Sequence, residues 1–323
     1  MDFLQKDRSE SSAYIQLLIL TGYALAGIIV CSILSIIILL MFSDHQGMAS
    51  LINLSIDDPK SINSLKIVQI LSSIGLFLLP PIFLAVTERR KISQFYDWKR
   101  PTWAMLVLIF LLMMVSLPIT ELSGLINQKM TFPEAFKPLE AWMRAKEDEA
   151  AKMVAVLLRM DGINDFLVNL FMIAFLPAIA EELMFRGGIQ RAFSRMFGNP
   201  HAAIWITAFI FSAIHVQFFG FIPRLLLGAL FGYIYVWTKS LWYPMFAHFL
   251  NNAYAVCMAL YFQIHNLPLE NVDEQPAFNW MGYVLGLVLT ILLLIYLRKQ
   301  YTKDGKQLDQ SIYHHESDHG GDH

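Results

Sequence analysis

Residues 11–43 read SSAYIQLLILTGYALAGIIVCSILSIIILLMFS, without a single Asp, Glu, Lys or Arg. About 20 apolar residues carry a helix across the hydrocarbon core of a bilayer, so this stretch is long enough to span a membrane and excludes a soluble protein. The rest of the chain has the same character. Of 323 residues 56% are hydrophobic and 15% charged, where a soluble domain carries roughly 25% charged residues. A secretory signal would have a shorter apolar core, so the first segment, which follows the polar start at residues 1–10, reads as a retained span.

Apolar runs between charged clusters predict eight helices, at 13–42, 65–87, 102–120, 164–185, 201–219, 222–238, 241–263 and 278–297. The expected fold is all-α, a polytopic membrane helix bundle of about eight transmembrane helices. Four regions follow: an N-terminus at 1–12, N-terminal transmembrane helices with a long outer loop at 13–163, a transmembrane core at 164–297, and a polar His-rich tail at 298–323. With both termini cytoplasmic, the inner segments hold 15 of the 24 Lys and Arg residues, as the positive-inside rule requires. The expected location is the cell membrane, with membrane lipid as a partner. Within the long loop, residues 133–160 mix charged and apolar side chains as an amphipathic helix does, one lying on the bilayer, covering a cavity or serving as a solvated connector. His314, His315, His319 and His323 read as part of a solvated tail. Cys31 and Cys257 lie in apolar segments and suggest neither a disulfide nor a thiolate metal site. A net charge of −2 gives no basis for a nucleic-acid partner.

Ionisable residues inside a bilayer persist where they pair or line a functional cavity. That makes Glu181, Glu182, Arg186, His215 and His248 the informative positions. Gly198-Asn199-Pro200 reads as the turn between the fourth and fifth helices. Residues equidistant from that turn lie at one depth in an antiparallel pair, and 198 is the midpoint of 181 and 215. Neighbouring Glu181 and Glu182 point about 100° apart on a helix. Glu182 and Arg186, spaced i, i+4, are expected to pair. Glu181 then has no local counter-ion and suits general acid and base work. His248 and Asn252, also i, i+4, share a face from which they can donate hydrogen bonds to a developing oxyanion, while Asn251 is expected to point away. Ser212 is one helical position off the His215 face and is not expected to act as a nucleophile. Gly228 and Gly232 read as a close helix contact. One carboxylate, two imidazoles and an amide on three spans admit two readings, a water-activating dyad with an oxyanion hole or a Glu, His, His metal site.

Three motifs stand in series: Glu181-Glu182-x-x-x-Arg186, Phe211-x-x-x-His215 and His248-x-x-x-Asn252. Over residues 164–255 the sequence resembles the CPBP family of intramembrane proteases, also called the ABI or type II CAAX prenyl endopeptidase family. The resemblance implies that Glu181 and His215 activate water, that His248 and Asn252 stabilise the oxyanion, and that Glu182 and Arg186 support the site. It also implies a membrane-associated protein or peptide as substrate. No cofactor is favoured; the alternative is zinc held by Glu181, His215 and His248. Two non-proteolytic readings compete, a membrane scaffold or bacteriocin-immunity-type protein and, less favoured, a proton-coupled transporter with Glu181 as relay.

Overall fold

The computed structural model describes residues 10–42, 59–96, 98–267 and 278–302. The His-rich tract and most of the last outer loop lie outside them. Among the described residues there are ten helices and no strand. We number them α1 (Ala13–Phe42), α2 (residues 59–87), α3 (Ile92–Phe95), α4 (Trp103–Gln128), α5 (Lys137–Leu157), α6 (Ile163–Phe197), α7 (Pro200–Ala213), α8 (Phe221–Thr238), α9 (Trp242–Ile264) and α10 (Trp280–Thr302).

All eight apolar segments are helical, and six of them are long and apolar enough to cross a membrane unaided. The other two are α7, with only 14 residues, and α9, whose 23 residues include His248, Asn251 and Asn252. These two carry much of the candidate site. At 1.5 Å per residue α7 reaches about 21 Å, short of a hydrocarbon core about 30 Å thick.

Five helices differ from the sequence reading by five residues or more: α2 begins at Pro59 rather than 65, α10 ends at Thr302 rather than 297, and three others differ at their C-terminal ends. The expected helix at 164–185 continues to Phe197, because Arg186, Arg191 and Arg195 are all neutralised by partners rather than left to terminate it. The helix expected at 102–120 runs to Gln128, past Glu121, which accepts a hydrogen bond from Tyr283 on α10 at 2.8 Å. The expected helix at 201–219 stops at Ala213. Beyond it Ile214 and His215 close into a turn and Val216 takes a left-handed φ of 53°.

The turn between α6 and α7 is built from its three residues in order. Gly198 adopts the left-handed conformation that ends α6. The Asn199 side chain accepts from the backbone N–H groups of His201 and Ala202. Pro200 then occupies the first turn of α7, where a missing N–H does no harm.

Prolines also set wider turns within the long helices. In α2 a π-turn at Ile74–Leu78 precedes Pro80 and Pro81, and in α6 one at Leu170–Phe175 precedes Pro177. Each marks a place where the ladder shifts from i−4 to i−5: Leu79 N–H reaches Ile74 and Leu176 N–H reaches Phe171. A second π-turn in α6, at Leu183–Gln190, begins directly after Glu182.

Small residues let the core helices approach closely. A Cβ on Gly228 of α8 would stand 3.2 Å from the Ala208 backbone of α7, and one on Gly232 would stand 2.9 Å from Ile204. At one end of the bundle Arg195 donates to Ser11 O, Ser11 N–H to Glu88, and Glu10 binds both Arg191 and Arg195. The start of α1 and the ends of α2 and α6 are thereby joined.

At the opposite end α5 forms a strap over the α7–α8 loop. Trp142 lies against Phe218 at 5.6 Å between ring centroids, Arg144 sits 4.2 Å over Phe219, and Glu147 accepts from Phe219 N–H at 3.1 Å. The N-terminal end of the strap is held by Glu140, which accepts from Phe132 N–H, Lys137 and Arg144. The other end is held by Gln263 of α9, bonded to Met160 N–H and Leu158 O. Within the expected stretch 133–160 the helix is Lys137–Leu157, preceded by a 3-10 turn at Glu134–Phe136, and it packs on the α7–α8 loop.

Two predictions follow from packing and charge. Gly228→Val forces overpacking against Ala208 and should lower folded stability by about 1–3 kcal/mol, read as a lower Tm in detergent. The Phe132 N–H, then Lys137 and Arg144, hold the Glu140 carboxyl down to about 2, from an ordinary 4.5. A depressed carboxyl stabilises above its unfolded value and loses that contribution as pH falls through about 4.5 towards about 2. Glu140→Gln should therefore loosen the strap near neutral pH, with more proteolytic cutting at 130–157, and the gap to wild type should close as pH falls to about 2.

Candidate active site

Arg186 is the anchor of the site. Its side chain is fully buried, as is that of Glu182, and Nη1 donates to Glu182 Oε1 at 2.7 Å. Nη2 donates to the Gly228 carbonyl at 2.7 Å, and one turn on Gln190 donates to the Gly232 carbonyl at 3.2 Å. The i, i+4 spacing of Arg186 and Gln190 on α6 therefore matches that of Gly228 and Gly232 on α8, whose bare backbones admit the donors. The guanidinium is sandwiched by Phe211 and Phe231, at 5.2 and 5.4 Å.

Glu182 Oε1 also meets His248 Nδ1 at 2.9 Å. An ionised carboxylate only accepts, so Nδ1 carries the proton and donates. This fixes the ring, which Phe231 stacks against at 5.2 Å, and leaves Nε2 towards Glu181 Oε2 at 3.8 Å. The two neighbouring glutamates thus differ as their directions on the helix require. Glu182 is sealed and doubly engaged; Glu181 keeps 12% of its side chain exposed and faces one imidazole.

His215 lies past the end of α7. Its Nδ1 donates to the Phe211 carbonyl at 2.8 Å, since a carbonyl accepts, and this leaves Nε2 free. Phe211 joins the two imidazoles, with ring centroids 5.2 Å from His215 and 6.0 Å from His248. Ser212 Oγ donates to Phe221 O at 2.7 Å and is occupied.

Asn252 reaches across to α6, where Nδ2 donates to the Ile173 carbonyl at 2.9 Å. Ile173 is four residues before Pro177, which has no N–H to offer it, and the amide of Asn252 provides a donor at that position. Asn251, expected to point away, instead donates from Nδ2 to Asn252 Oδ1 at 3.1 Å. Adjacent helical residues diverge at Cβ, but this amide folds back along the helix to its neighbour.

The structure thus joins Glu181, Glu182, Arg186 and His248 by direct contact, links His215 through Phe211, and ties Asn252 to the π-turn. Sequence reasoning missed Gly228 as a carbonyl acceptor, Phe231 as the ring beside His248, and Ile173. The matched spacing of Arg186/Gln190 and Gly228/Gly232 was the available signal for the first.

Both imidazoles are held through Nδ1, an arrangement also found for metal ligands. Among the described residues, however, no three His, Cys, Asp or Glu side chains are grouped to hold a metal ion.

Removing one member of a buried ion pair leaves the other charge uncompensated, at about 3–5 kcal/mol. Arg186→Leu should therefore sharply reduce the yield and Tm of folded protein, whereas the double replacement Glu182→Met with Arg186→Leu should recover much of the loss.

Residues 163–254 match the family described as type II CAAX prenyl endopeptidase Rce1-like. Two curated proteins of Bacillus subtilis (strain 168) are similar. One, described as "Uncharacterized protein YpbD", is 32% identical over 93 residues, covering 28% of this chain and 44% of the relative. The other, described as "Putative membrane peptidase YdiL", is 30% identical over 111 residues, covering 34% of this chain and 43% of the relative. The chain thus spans less than half the length of the curated relatives it matches. No solved structure matches. The part of the chain that is similar to this family, residues 163–254, is the segment that brings Glu181, Glu182, Arg186 and His248 into contact.

Proposed function

We propose that this protein is an intramembrane endopeptidase that hydrolyses a peptide bond of a membrane-associated protein or peptide with water activated by Glu181 and His215. One observation carries the reading. Of two adjacent glutamates in an apolar core, one is consumed by Arg186 and His248 Nδ1, while the other keeps its carboxylate free beside His248 Nε2 at 3.8 Å. Such a carboxylate in a water-poor site is suited to general base work.

In this mechanism water is held between Glu181 and Nε2 of His215. Glu181 takes a proton as the water oxygen bonds to the scissile carbonyl carbon. The oxyanion accepts hydrogen bonds from His248 and from the second N–H of Asn252 Nδ2. As the C–N bond breaks, Glu181 returns the proton to the leaving amine. Glu182 and Arg186 hold His248 in orientation and take no proton.

In this reading the protein lies in the cell membrane with both termini in the cytoplasm. The distribution of Lys and Arg supports this, as does the joining of α1, α2 and α6 at one end by Glu10, Arg191 and Arg195.

Glu181→Gln should abolish cleavage in a comparison of membrane proteomes, by a factor on the order of 10² to 10⁴, while leaving Tm close to wild type. Unchanged cleavage with a lowered Tm would instead support the scaffold or immunity-type reading. Chelator should leave activity intact in protein lacking residues 303–323. Stoichiometric zinc that is lost on replacing His215 or His248 would assign the metallo-type reaction.

A further inference from the structure

The α7–α8 loop carries a second feature that the proposed hydrolysis does not use. Arg224, in the first turn of α8, reaches back over the loop. Its Nη1 donates to Gln217 Oε1 at 2.5 Å and its Nη2 to Gln217 O at 2.7 Å. The guanidinium is therefore aimed by two hydrogen bonds to one residue. Gly220 makes room for it, since a Cβ there would stand 2.6 Å from Nη2.

This cation has no anionic partner within ion-pair distance among the described residues, and its buried Nε has no hydrogen-bond partner. The acidic side chain that acts on it is Glu147 of the α5 strap, whose carboxylate is engaged by Phe219 N–H. Four other arginines, Arg144, Arg186, Arg191 and Arg195, each bind a glutamate directly. A guanidinium held by neutral acceptors, with Glu147 near it but no direct ion-pair partner among the described residues, has donors left for an incoming anion.

Its position names the anion. Gln217 is two residues from His215, no more than about 7 Å along the chain, and Arg224 is bonded to Gln217 through both its side-chain and its backbone oxygen. The loop is closed off by α5 on one side and by Asn127 of α4 on another, through Phe218 O and Ile222 N–H. The Gln217–Arg224 pair therefore stands next in the chain to His215, on the loop that follows it.

We propose that Arg224 is a substrate-binding residue that takes a carboxylate of the peptide being cut, either its C-terminus or an Asp or Glu side chain near the scissile bond. The inference rests on the endopeptidase reading and adds a selectivity to it. Gln217 sets the direction of the fork, and the remaining N–H groups donate to the carboxylate.

The test uses the full chain in phosphatidylcholine vesicles with palmitoylated peptides of randomised sequence, made as matched free acids and C-terminal carboxamides, with products read by mass spectrometry. Wild type should prefer carboxylate-bearing members on the order of tenfold. A preference lost with the C-terminal amide points to the terminus, and one that follows Asp or Glu points to the side chain. Arg224→Gln should bring the preference to unity while neutral members are still cut. Arg224→Lys, which keeps the charge without the fork, should retain part of it. Wild type indifferent to carboxylates, or Arg224→Gln keeping the preference, overturns the inference. So does loss of all cleavage by Arg224→Gln at unchanged Tm, or a requirement for phosphatidylglycerol that disappears with Arg224, which would make this a lipid site. No cleavage by wild type, or cleavage that survives Glu181→Gln, removes the endopeptidase reading itself.

Discussion

A guanidinium in the middle of an apolar helix bundle has to be neutralised and given hydrogen-bond acceptors, and the architecture of the core follows from how this is done for Arg186. Its charge is met by Glu182, its second donor by the backbone of Gly228, and its faces by Phe211 and Phe231. Each partner comes with an element: Glu182 fixes the α6 turn, Gly228 brings α8 close, and Phe211 brings α7. A charge that would be prohibitive alone in hydrocarbon thus sets the register of three helices. The same carboxylate then holds His248 of α9, so the ion pair and the orientation of the imidazole are one network.

Much of this was readable from spacing. Glu182 and Arg186, and the helix that carries them, are local in sequence, and local geometry follows from a 3.6-residue period. The Gly198-Asn199-Pro200 turn was readable because each of its residues has a distinct terminal role. What was not readable involves atoms without side-chain identity. The carbonyls of Gly228, Gly232 and Ile173 accept key hydrogen bonds, and a carbonyl is present at every residue. Helix ends were misjudged where charge was taken as an end signal, as at Arg186 and Glu121, because compensation by a distant partner is a tertiary fact. The early end of α7 has the same origin, since Asn127 and Arg224 capture the loop from other helices.

The distinction between Glu181 and Glu182 shows how little sequence distance is needed to separate roles. One step along a helix moves a carboxylate from a sealed ion pair to a partly open position facing an imidazole. Identity of residue type says nothing here; direction says nearly everything.

The π-turn at Leu170–Phe175 inserts one extra residue into α6 before Pro177. Everything on the α5-proximal half of that helix is therefore out of phase, by roughly one helical step, with the half bearing the glutamates. A single-residue deletion in 170–175 would heal the ladder and swing one half of the helix about 100° against the other. Either Ile173 would leave Asn252 or Glu181 would leave His248. The length of this short segment is thus as binding a constraint on the site as the identity of any residue in it, and shortening it would disarm the protein without touching a polar side chain.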